Sequence, residues 1–405
     1  MKASGVILSA SALTGAFAAP AQSTDVTFSA KTVYNGKARH VLDDLDRAFK
    51  KYVPAEKRAE ILAAAKNSRV TGTVITAPEP SDDNVDALYL TEVSIGTPAQ
   101  NLKLDFDTGS SDLWVFSTDT DPSQVNGQTL YAPADSSSAH AVDGATWSIQ
   151  YGDRSTSSGI VYTDSVTVGN LTVPNQAVES AQQVSSQFTK DSQSSGLLGL
   201  ANSIGNTVTP VKQKTWFDSI APSLDKKLFT VRLRHQAAGS YNFGYIDSSQ
   251  YVGPISYTPA FTDSLGHRLF SSTGYAVGSG STKSAAIKGT ADTGTSLLIL
   301  SSSVAGSYWS NVAGAQKVSI NSGTGSAWLY PCSTKLPSFS FNVGSGKITV
   351  PGTDLNYAPN GGGYCVGGIA TLNGIDISIF GDIALKSTFV VYDDANGQLG
   401  WAQGK

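Results

Sequence analysis

The chain has 405 residues, which corresponds to two or three domains of ordinary size, and only 15% of its residues are charged. Ordinary soluble domains carry about 25% charged residues and about 7% glycine, whereas glycine fills 40 positions here. This composition argues against a coiled coil, a long-helix bundle or a charged disordered chain, and it suits many short strands joined by tight turns. Because 28 Lys and Arg accompany 32 Asp and Glu, there is no basic excess to bind a nucleic acid.

The first 19 residues have the pattern of a cleavable signal peptide. Met1 and Lys2 precede an uncharged stretch that ends in Ala-Phe-Ala-Ala at 16–19. An ordinary buried first helix is the alternative. We predict secretion, although retention in a vacuole would use much the same signal, and we expect no membrane anchor because no later apolar run approaches the ~18 residues of a membrane span.

The cysteines and histidines favour a disulfide over a metal site. Neither Cys-x-x-Cys nor His-Glu-x-x-His occurs in the sequence, so we predict no metal and no cofactor. In an exported protein the two cysteines, Cys332 and Cys365, are expected to pair. The chain-entropy model gives such a bond roughly 3.8 kcal/mol of stabilisation.

Residues 20–66 differ in charge from the rest of the chain. They contain nine Lys and Arg and six Asp and Glu, whereas residues 67–405 contain 18 and 26. Apolar residues at helical spacing predict a helix over Val41–Tyr52 that ends before Pro54, and the Gly- and Pro-containing segment 71–86 is interpreted as a linker. A basic helical segment ahead of an acidic body suggests a propeptide, and a small N-terminal subdomain that stays attached is the alternative.

From Leu88 onward the pattern is that of β-strands. Apolar side chains alternate with polar ones at a period of two, and turn residues separate the runs. The alternating apolar positions are Tyr89, Val93 and Ile95; Leu102, Leu104 and Phe106; Trp147, Ile149 and Tyr151; and Val166, Val168, Leu171 and Val173. We predict an all-β body with short helices at about Lys212–Ser219 and Ser302–Val312.

One motif occurs twice in this body. Asp-Thr-Gly-Ser-Ser at 107–111 is matched by Asp-Thr-Gly-Thr-Ser at 292–296, 185 residues later. Leu-Leu-Gly at 197–199 begins 90 residues after the first Asp, and Ile-Phe-Gly at 379–381 begins 87 residues after the second. A single Asp-Thr-Gly suits any tight turn, but two copies with matched downstream partners indicate two units built on one plan.

The repeated aspartates suggest a specific chemistry. If the two units are related by a pseudo-twofold axis, the carboxyl groups of Asp107 and Asp292 face each other. Carboxylates ~3 Å apart share one proton under acid conditions. The ionised member can then take a proton from water while the protonated member polarises a carbonyl. This predicts metal-free hydrolysis of peptide bonds in acid. The alternative is that both aspartates are turn residues without a chemical role.

These motifs resemble those of the pepsin-like aspartic endopeptidases (family A1), and among them the secreted fungal group. The likeness covers nearly all of residues 86–405 and is carried by the segments 104–116, 147–153, 195–200, 241–244, 291–296 and 379–385. It implies an all-β bilobal fold, in which two β-barrel-like lobes related by a pseudo-twofold axis enclose the active site. The lobes are expected at 67–250, with the first Asp-Thr-Gly and a flap, and at 251–405, with the second Asp-Thr-Gly and the disulfide.

The resemblance also implies a role for individual residues. Asp107 and Asp292 would be the catalytic pair, and the hydroxyls that orient them would come from Ser110, Thr295, Thr108 and Thr293. Tyr151 would be the flap tyrosine, hydrogen-bonded to Trp114, although both could be core aromatic residues. The expected substrate-binding positions are Gly152, Asp153, Gly294, Asp105, Phe188 and Leu197. Asp382 is expected to fix a turn rather than to catalyse.

The flap carries two charged residues that bear on specificity. Asp153 resembles the acidic flap residue of fungal members that accept Lys, as well as large apolar residues, next to the scissile bond (P1). The alternative is a solvated turn residue. Arg154 departs from the small residue common at the next position, so the family's substrate preference is not carried over to that end of the cleft.

The segment 20–66 resembles an activation propeptide. Lys51 and Tyr52 match the Lys-Tyr-x-Pro of pepsinogen-like prosegments, so Lys51 is expected to mask the catalytic aspartates until acid weakens the contact. Maturation is expected near Lys66, with the dibasic pair at 57–58 as a rival site. The expected partners are protein or peptide substrates, the chain's own propeptide and pepstatin-type inhibitors, and the expected state is a monomer. Asn170 lies in the single Asn-x-Thr sequon and is a candidate glycosylation site.

Two rival functions remain open from the sequence. The first is a catalytically inactive binding protein on the same fold, which would most simply lack one aspartate or the flap tyrosine. The second is a glycosidase, which also uses two carboxyl groups but needs no duplicated Asp-Thr-Gly. The sequence favours a secreted acid endopeptidase made as a zymogen.

Overall fold

A computed structural model describes residues 33–34, 37–38, 69–79, 86, 88–320 and 324–405. The chain divides into two compact units, 1–66 and 67–405. In the first unit the described residues form an antiparallel pair, β1 (Val33–Tyr34) and β2 (Lys37–Ala38). The predicted signal peptide, the predicted helix over Val41–Tyr52 and the residues Lys51 and Tyr52 lie outside the described residues.

The second unit consists mainly of strands. The first half contains β3 (Gly72–Pro78), β4 (Tyr89–Ile95), β5 (Gln100–Asp107), β6 (Leu113–Val115), β7 (His140–Gln150), β8 (Thr156–Val168), β9 (Leu171–Val184), β10 (Gly196–Gly199), β11 (Leu228–Arg234), β12 (Ala237–Phe243) and β13 (Tyr251–Pro259). The second half contains β14 (Phe261–Thr262), β15 (Arg268–Val277), β16 (Lys283–Ala291), β17 (Leu298–Ile299), β18 (Gln316–Ile320), β19 (Gly325–Pro331), β20 (Phe339–Val343), β21 (Gly346–Val350), β22 (Asn356–Gly361), β23 (Tyr364–Gly367), β24 (Ile369–Leu372), β25 (Ser378–Phe380), β26 (Thr388–Asp393) and β27 (Gln398–Gly404). The predicted all-β class is confirmed.

Helices are short in this unit. The α-helices are α1 (Ser186–Lys190), α2 (Trp216–Ile220), α3 (Ser302–Trp309) and α4 (Asp382–Leu385). Single 3₁₀ turns occur at Pro122–Gln124, Pro133–Asp135, Ser203–Gly205, Ala221–Ser223 and Ser248–Gln250. None of the helices in the described part of the chain is long and apolar enough to cross a membrane.

The predicted helix boundaries were partly wrong. α2 begins at Trp216 rather than Lys212, because the Thr215 side chain accepts the N–H of Asp218 and caps the helix there. α3 ends at Trp309 rather than Val312, since the N–H of Val312 bonds to the carbonyl of Trp309 in a tighter turn.

The strands form two large sheets. In the first, the order is β13-β27-β26-β11-β12-β3-β4-β5-β10-β6-β9-β8-β7, and an additional pairing of β4 with β8 folds it into a barrel-like shape. In the second, the order is β21-β20-β15-β16-β25-β17-β24-β19-β23-β22, with β14 beside β15 and β18 beside β19. These two sheets are consistent with the expected bilobal pepsin-like architecture.

The first sheet contains strands from both ends of this unit. β11 pairs with β26, and β13 pairs with β27, so the carboxyl-terminal strands complete a sheet that begins in the first lobe. The lobe boundary at 250/251 stays a prediction. The interpretation of segment 71–86 as a linker was wrong for Gly72–Pro78, because these residues form β3, which pairs with β12 on one side and with β4 on the other.

Each sheet contains the same local arrangement around its Asp-Thr-Gly loop. In the first, β5 runs into the loop, β10 lies parallel to β5, and β6 leaves the loop antiparallel to β10. In the second, β16, β25 and β17 take the same three places. The Leu-Leu-Gly and Ile-Phe-Gly segments are therefore equivalent, as their spacing in the sequence suggested.

Strand β5 leads into the first Asp-Thr-Gly loop, and burial alternates along its first residues. Leu102, Leu104 and Phe106 are buried, as their period-two pattern predicts, and Lys103 between them is exposed. Asp105 and Asp107, on the opposite face, are buried as well, at the end of the strand that leads into the Asp-Thr-Gly loop.

The predicted disulfide is present in the second half. Cys332 follows β19 and Cys365 lies in β23, with their Cα atoms 5.1 Å apart. The bond closes a loop with a sequence separation of 33 residues, next to the pairing of β19 with β23.

Candidate active site

The two Asp-Thr-Gly loops meet, and each glycine lies against the aspartate of the other loop. A Cβ atom placed on Gly109 would lie 2.5 Å from Oδ1 of Asp292, and one placed on Gly294 would lie 2.4 Å from Cγ of Asp107. Real Cβ atoms do not approach other atoms so closely, so only glycine fits at either position. The two carboxyl groups are therefore brought together across the interface between the loops.

Both carboxyl groups are held by the same pattern of donors. Asp107 accepts the N–H of Gly109 at 2.7 Å on Oδ1 and the hydroxyl of Ser110 on Oδ2. Asp292 accepts the N–H of Gly294 at 3.0 Å on Oδ1 and the hydroxyl of Thr295 at 2.8 Å on Oδ2. These bonds fix the plane of each carboxyl group and leave the two groups facing each other.

Thr108 and Thr293 join the loops below the carboxyl groups. The N–H of Thr108 donates to Oγ1 of Thr293, and the N–H of Thr293 donates to Oγ1 of Thr108, each at 3.1 Å. Each hydroxyl in turn donates to a carbonyl of the opposite loop: Thr108 to Ala291 at 2.9 Å, and Thr293 to Phe106. Because these buried groups satisfy each other, neither loop can shift without leaving polar groups unpaired.

Burial and mutual proximity set the charge of the pair. Asp107 is 4% and Asp292 8% exposed. Burial and the negative charge of Asp292 raise the pKa of Asp107, while the bonds from Ser110 and Gly109 act in the opposite direction. The pKa of Asp107 is therefore above that of an ordinary aspartate, as expected for the protonated member of a close carboxyl pair.

Aromatic side chains connect the β7–β8 hairpin to the first loop. Nε1 of Trp114 donates to the hydroxyl of Tyr151 at 2.8 Å, as the sequence analysis expected for these two residues. Phe188 packs edge-on against both rings, with centroid distances of 4.9 Å to Trp114 and 5.6 Å to Tyr151. Trp114 is fully buried. Burial and the charge of Asp107 raise the pKa of Tyr151, so this cluster borders the carboxyl pair.

The tip of the hairpin projects into solvent. Gly152, Asp153 and Arg154 are exposed, and nothing lies within 4 Å of a Cβ placed on Gly152. Oδ1 of Asp153 accepts the N–H of Ser155 at 2.9 Å and its hydroxyl at 2.6 Å. One carboxylate oxygen thus stabilises the turn that the sequence analysis gave as the alternative for Asp153.

Two expected substrate-binding residues lie deeper than the others. Asp105 and Leu197 are paired across β5 and β10 and are 5% and 7% exposed. Burial and the nearby Asp107 raise the pKa of Asp105. Gly294 is exposed and Phe188 half-buried, so these two are more accessible to a ligand.

Asp382 begins α4 behind the second loop. Its N–H donates to the carbonyl of Thr295 at 2.8 Å, which fits the expected turn role. Its carboxyl is 1% exposed, and within the described part of the chain it has no hydrogen-bond partner. Burial raises its pKa, and the ammonium of Lys386 acts in the opposite direction.

A buried acidic pair behind the first loop was missed by the sequence analysis. Nδ2 of Asn206 donates to Asp112 at 2.8 Å and to Glu179 at 2.9 Å. The three side chains are at most 2% exposed. Glu179 lies in β9 and Asn206 directly follows the 3₁₀ turn at Ser203–Gly205, so the partners of Asp112 come from distant segments that the sequence around Asp112 does not indicate.

Two further observations concern metal binding and glycosylation. Among the described residues, no group of three or more His, Cys, Asp or Glu side chains is placed to hold a metal ion. The candidate glycosylation residue Asn170 is exposed in the turn between β8 and β9, and its Nδ2 donates to the carbonyl of Thr71 at 3.2 Å.

Comparison with known proteins places this site in a family. The family model described as "Eukaryotic aspartyl protease" matches residues 88–404. The chain belongs to the eukaryotic aspartyl proteases. Endothiapepsin of Cryphonectria parasitica is 54% identical over 329 residues, which are 81% of this chain and 77% of the relative. Aspergillopepsin-1 of Aspergillus pseudoglaucus is 46% identical over 370 residues, 91% of this chain and 90% of the relative. The protein is thus an aspartic endopeptidase, as the resemblance implied.

Proposed function

We propose that Asp107 and Asp292 are the catalytic pair of a secreted, broad-specificity acid endopeptidase. The observation that carries this proposal is the contact of the two Asp-Thr-Gly loops, in which each carboxyl group has the same donors and each glycine lies against the opposite carboxyl. Two buried carboxyl groups in this arrangement hold one proton between them, which supplies an acid and a base at the same place.

The reaction follows from that shared proton. The ionised aspartate takes a proton from a water molecule as its oxygen attacks the peptide carbonyl carbon, while the protonated aspartate donates to the carbonyl oxygen. A tetrahedral diol results, without a covalent bond to the enzyme. The carbon–nitrogen bond then breaks as the newly protonated aspartate donates its proton to the departing nitrogen and the other aspartate takes a proton from a diol hydroxyl, which restores the starting protonation of the pair. Ser110, Thr295, Thr108 and Thr293 position the aspartates and take no direct part.

The flap and its neighbours are the proposed substrate-binding surface. Tyr151, held by Trp114, closes over the substrate, and the backbone of Gly152 and Asp153 contacts it. Phe188 and the deeper Leu197 and Asp105 contribute to a pocket for large apolar residues at P1, with Gly294 on the opposite side. Support comes from the aromatic contacts between Phe188, Trp114 and Tyr151.

Acceptance of Lys at P1 is assigned to Asp153. Its second carboxylate oxygen is available to pair with a substrate ammonium group, because Ser155 engages Oδ1 alone. Asp153→Asn is the sharpest test, since an amide oxygen still accepts both bonds from Ser155 while the charge is lost. We expect the ratio of kcat/KM for Lys against Phe substrates to fall several-fold. An unchanged ratio would remove this assignment.

The precursor is proposed to be a zymogen. Residues 1–19 direct secretion, residues 20–66 are an activation propeptide, and Lys51 with Tyr52 covers Asp107 and Asp292 until acid protonates the carboxyl groups. The division of the chain into units 1–66 and 67–405 supports a cleavage near Lys66. The active form is proposed to be a monomer, sensitive to pepstatin and glycosylated at Asn170.

The test is the behaviour of the purified precursor in acid. The precursor is brought to about pH 3.5 with and without pepstatin, and its intact mass, N-terminal sequence and activity on a denatured protein are measured. We expect loss of residues up to about Lys66, proteolysis that pepstatin blocks, and no N-terminal processing in the presence of pepstatin. A chain that stays inert after its first 66 residues are removed in trans would support the inactive binding protein instead.

A further inference from the structure

Arg154 has an unusual backbone conformation at the tip of the flap. Its φ is +72°, and among the described non-glycine residues only Gln236, at +49°, is also positive. This conformation is strained for an L-residue that has a side chain, whereas glycine adopts it freely. Strain that persists at a functional site is a reason to look for a role of the side chain.

The position of Arg154 is fixed relative to the flap tyrosine. Its N–H donates to the carbonyl of Tyr151 at 2.9 Å, and this bond closes the turn at the end of the hairpin. The same Tyr151 lies within the electrostatic influence of Asp107. Arg154 is therefore hydrogen-bonded through its backbone to a residue that borders the catalytic carboxyl groups.

The guanidinium group of Arg154 has no structural partner in the described part of the chain. The side chain is exposed, makes no hydrogen bond there, and has no carboxylate within 4.0 Å. The neighbouring Asp153 accepts both bonds from Ser155 on Oδ1 and does not pair with Arg154 in the described structure. The positive charge of Arg154 is thus without a protein partner in the described part of the chain, at the exposed tip of the flap.

We propose that Arg154 is a specificity-determining residue that favours substrates with a carboxylate side chain within three residues of the scissile bond. The inference rests on the proposed function of the flap. A guanidinium forms charge-assisted hydrogen bonds with a carboxylate and can do so through two parallel N–H groups. The preference requires an ionised substrate, so it is present above the usual pKa of Glu, ~4.3, and is lost as the pH falls below it.

The experiment compares matched peptides as substrates of the enzyme obtained by acid activation of the full-length precursor. One apolar substrate is made with either Glu or Gln at each position from P3 to P3′, and kcat/KM is measured at pH 5.5 and pH 3.0. At one position at least, we expect Glu to exceed Gln by about two- to five-fold at pH 5.5, the range of an exposed ion pair. At pH 3.0 the ratio returns to about one. The protonation of the catalytic pair affects both peptides equally and cancels in the ratio.

Three variants assign the effect to the charge. Arg154→Gly removes the charge and the strain, and we expect a ratio of about one at both pH values. Arg154→Lys keeps the charge and is expected to retain part of the preference. Gln236→Gly relieves the same kind of strain at the turn between β11 and β12, and it should leave the wild-type ratio unchanged.

The outcomes separate this inference from the proposed function. Hydrolysis of all the peptides with a Glu to Gln ratio of one at every position and both pH values overturns the inference alone. The same holds if Arg154→Gly keeps the preference or if Gln236→Gly abolishes it. If the wild-type chain cleaves none of the peptides, the proposed function falls and the role of Arg154 falls with it.

Discussion

The two Asp-Thr-Gly loops share their contacts with the carboxyl groups but not their surroundings. In the first loop Ser110, Ser111 and Asp112 are all buried, whereas in the second Gly294 is exposed and Thr295 is half-buried. The first loop has the acidic pair behind it and the Trp114–Tyr151 bond beside it.

The sequence difference behind this contrast is small. The position of Asp112 in the first loop is occupied by Leu297 in the second. Asp112 is anchored by Asn206 and by the N–H of Thr207 at 2.8 Å, and it interacts with Glu179, which lies on β9. The second loop instead has behind it the carboxyl group of Asp382, which has no hydrogen-bond partner among the described residues.

This comparison distinguishes what the chemistry needs from what each lobe adds. The shared features are the donors to the carboxyl groups and the facing glycines, which contact the aspartates, and the crossed threonines, which join the two loops. The unshared features support one loop only. We therefore expect matched substitutions in the shared features to have equal effects, and substitutions behind one loop to affect that lobe alone.

The largest expected effect is that of removing one ionisable carboxyl group. Asp107→Asn and Asp292→Asn should each lower kcat by about 10²- to 10⁴-fold, because the shared proton and the base are both lost. Peptide hydrolysis at acid pH measures the loss, and thermal unfolding checks that each variant is folded. Activity within tenfold of wild type in either variant would contradict the proposal that both aspartates are required.

The facing glycines give the next effect. Gly109→Ala would place a methyl group 2.5 Å from Oδ1 of Asp292, and Gly294→Ala would place one 2.4 Å from Cγ of Asp107. Both substitutions should therefore separate the loops and lower activity strongly. The overpacking is expected to cost about 1–3 kcal/mol of unfolding free energy. Gly306→Ala in α3 is the matched control, since nothing lies within 4 Å of its Cβ position. A fully active Gly109→Ala enzyme would contradict the close approach of Gly109 to the Asp292 carboxyl group.

The crossed threonines should act as one unit. Thr108→Val and Thr293→Val each leave a buried N–H of the opposite loop without its acceptor, which costs about 1–3 kcal/mol. Since the two bonds belong to the same contact, the double variant should lose less than the sum of the single losses. Denaturant unfolding of the four proteins measures this coupling, and Thr→Ser at each position is the control that keeps the hydroxyl. Strict additivity would argue against a shared contact.

The smallest effect concerns the acidic pair behind the first loop. Burial raises the pKa of Asp112 and of Glu179 in the folded protein. Tyr151 and Lys212 are the other titratable groups that interact with the pair. Both carboxyl groups release their protons more readily when unfolded, so the stability they contribute is complete below the ordinary carboxyl pKa and falls as pH rises above it.

The expected slope is about 1.4 kcal/mol per pH unit for each proton held by the folded state. Asp112→Asn keeps an oxygen for Asn206 and Thr207 and adds an N–H toward Glu179, so it should flatten the loss of stability between pH 4 and 7. The measurement is the unfolding free energy of both proteins across that range. An equal slope in the variant would mean that other carboxyl groups cause the pH dependence.

Much of the site could be predicted from local sequence. The Asp-Thr-Gly motifs, their glycines and hydroxyls, and the Tyr151 hairpin are short contiguous segments whose conformation depends on neighbouring residues. The period-two pattern of Leu102, Leu104 and Phe106 likewise predicted a strand that the structure contains. The Leu-Leu-Gly and Ile-Phe-Gly segments follow their aspartates at similar spacing. This spacing indicated the internal symmetry, because equivalent strands recur at similar distances along the chain.

The sequence by itself determined the all-β class, the duplicated plan and the residues of the two loops. Tertiary structure decided the rest, including the pairing of β3 with β12, the completion of the first sheet by β26, and the contact of Asp112 with Glu179. The segment 72–78 contains no regular apolar pattern, and its Thr76 is buried while Ile75 is exposed. Its strand conformation depends on hydrogen bonds to residues more than 150 positions away, which local propensity does not encode.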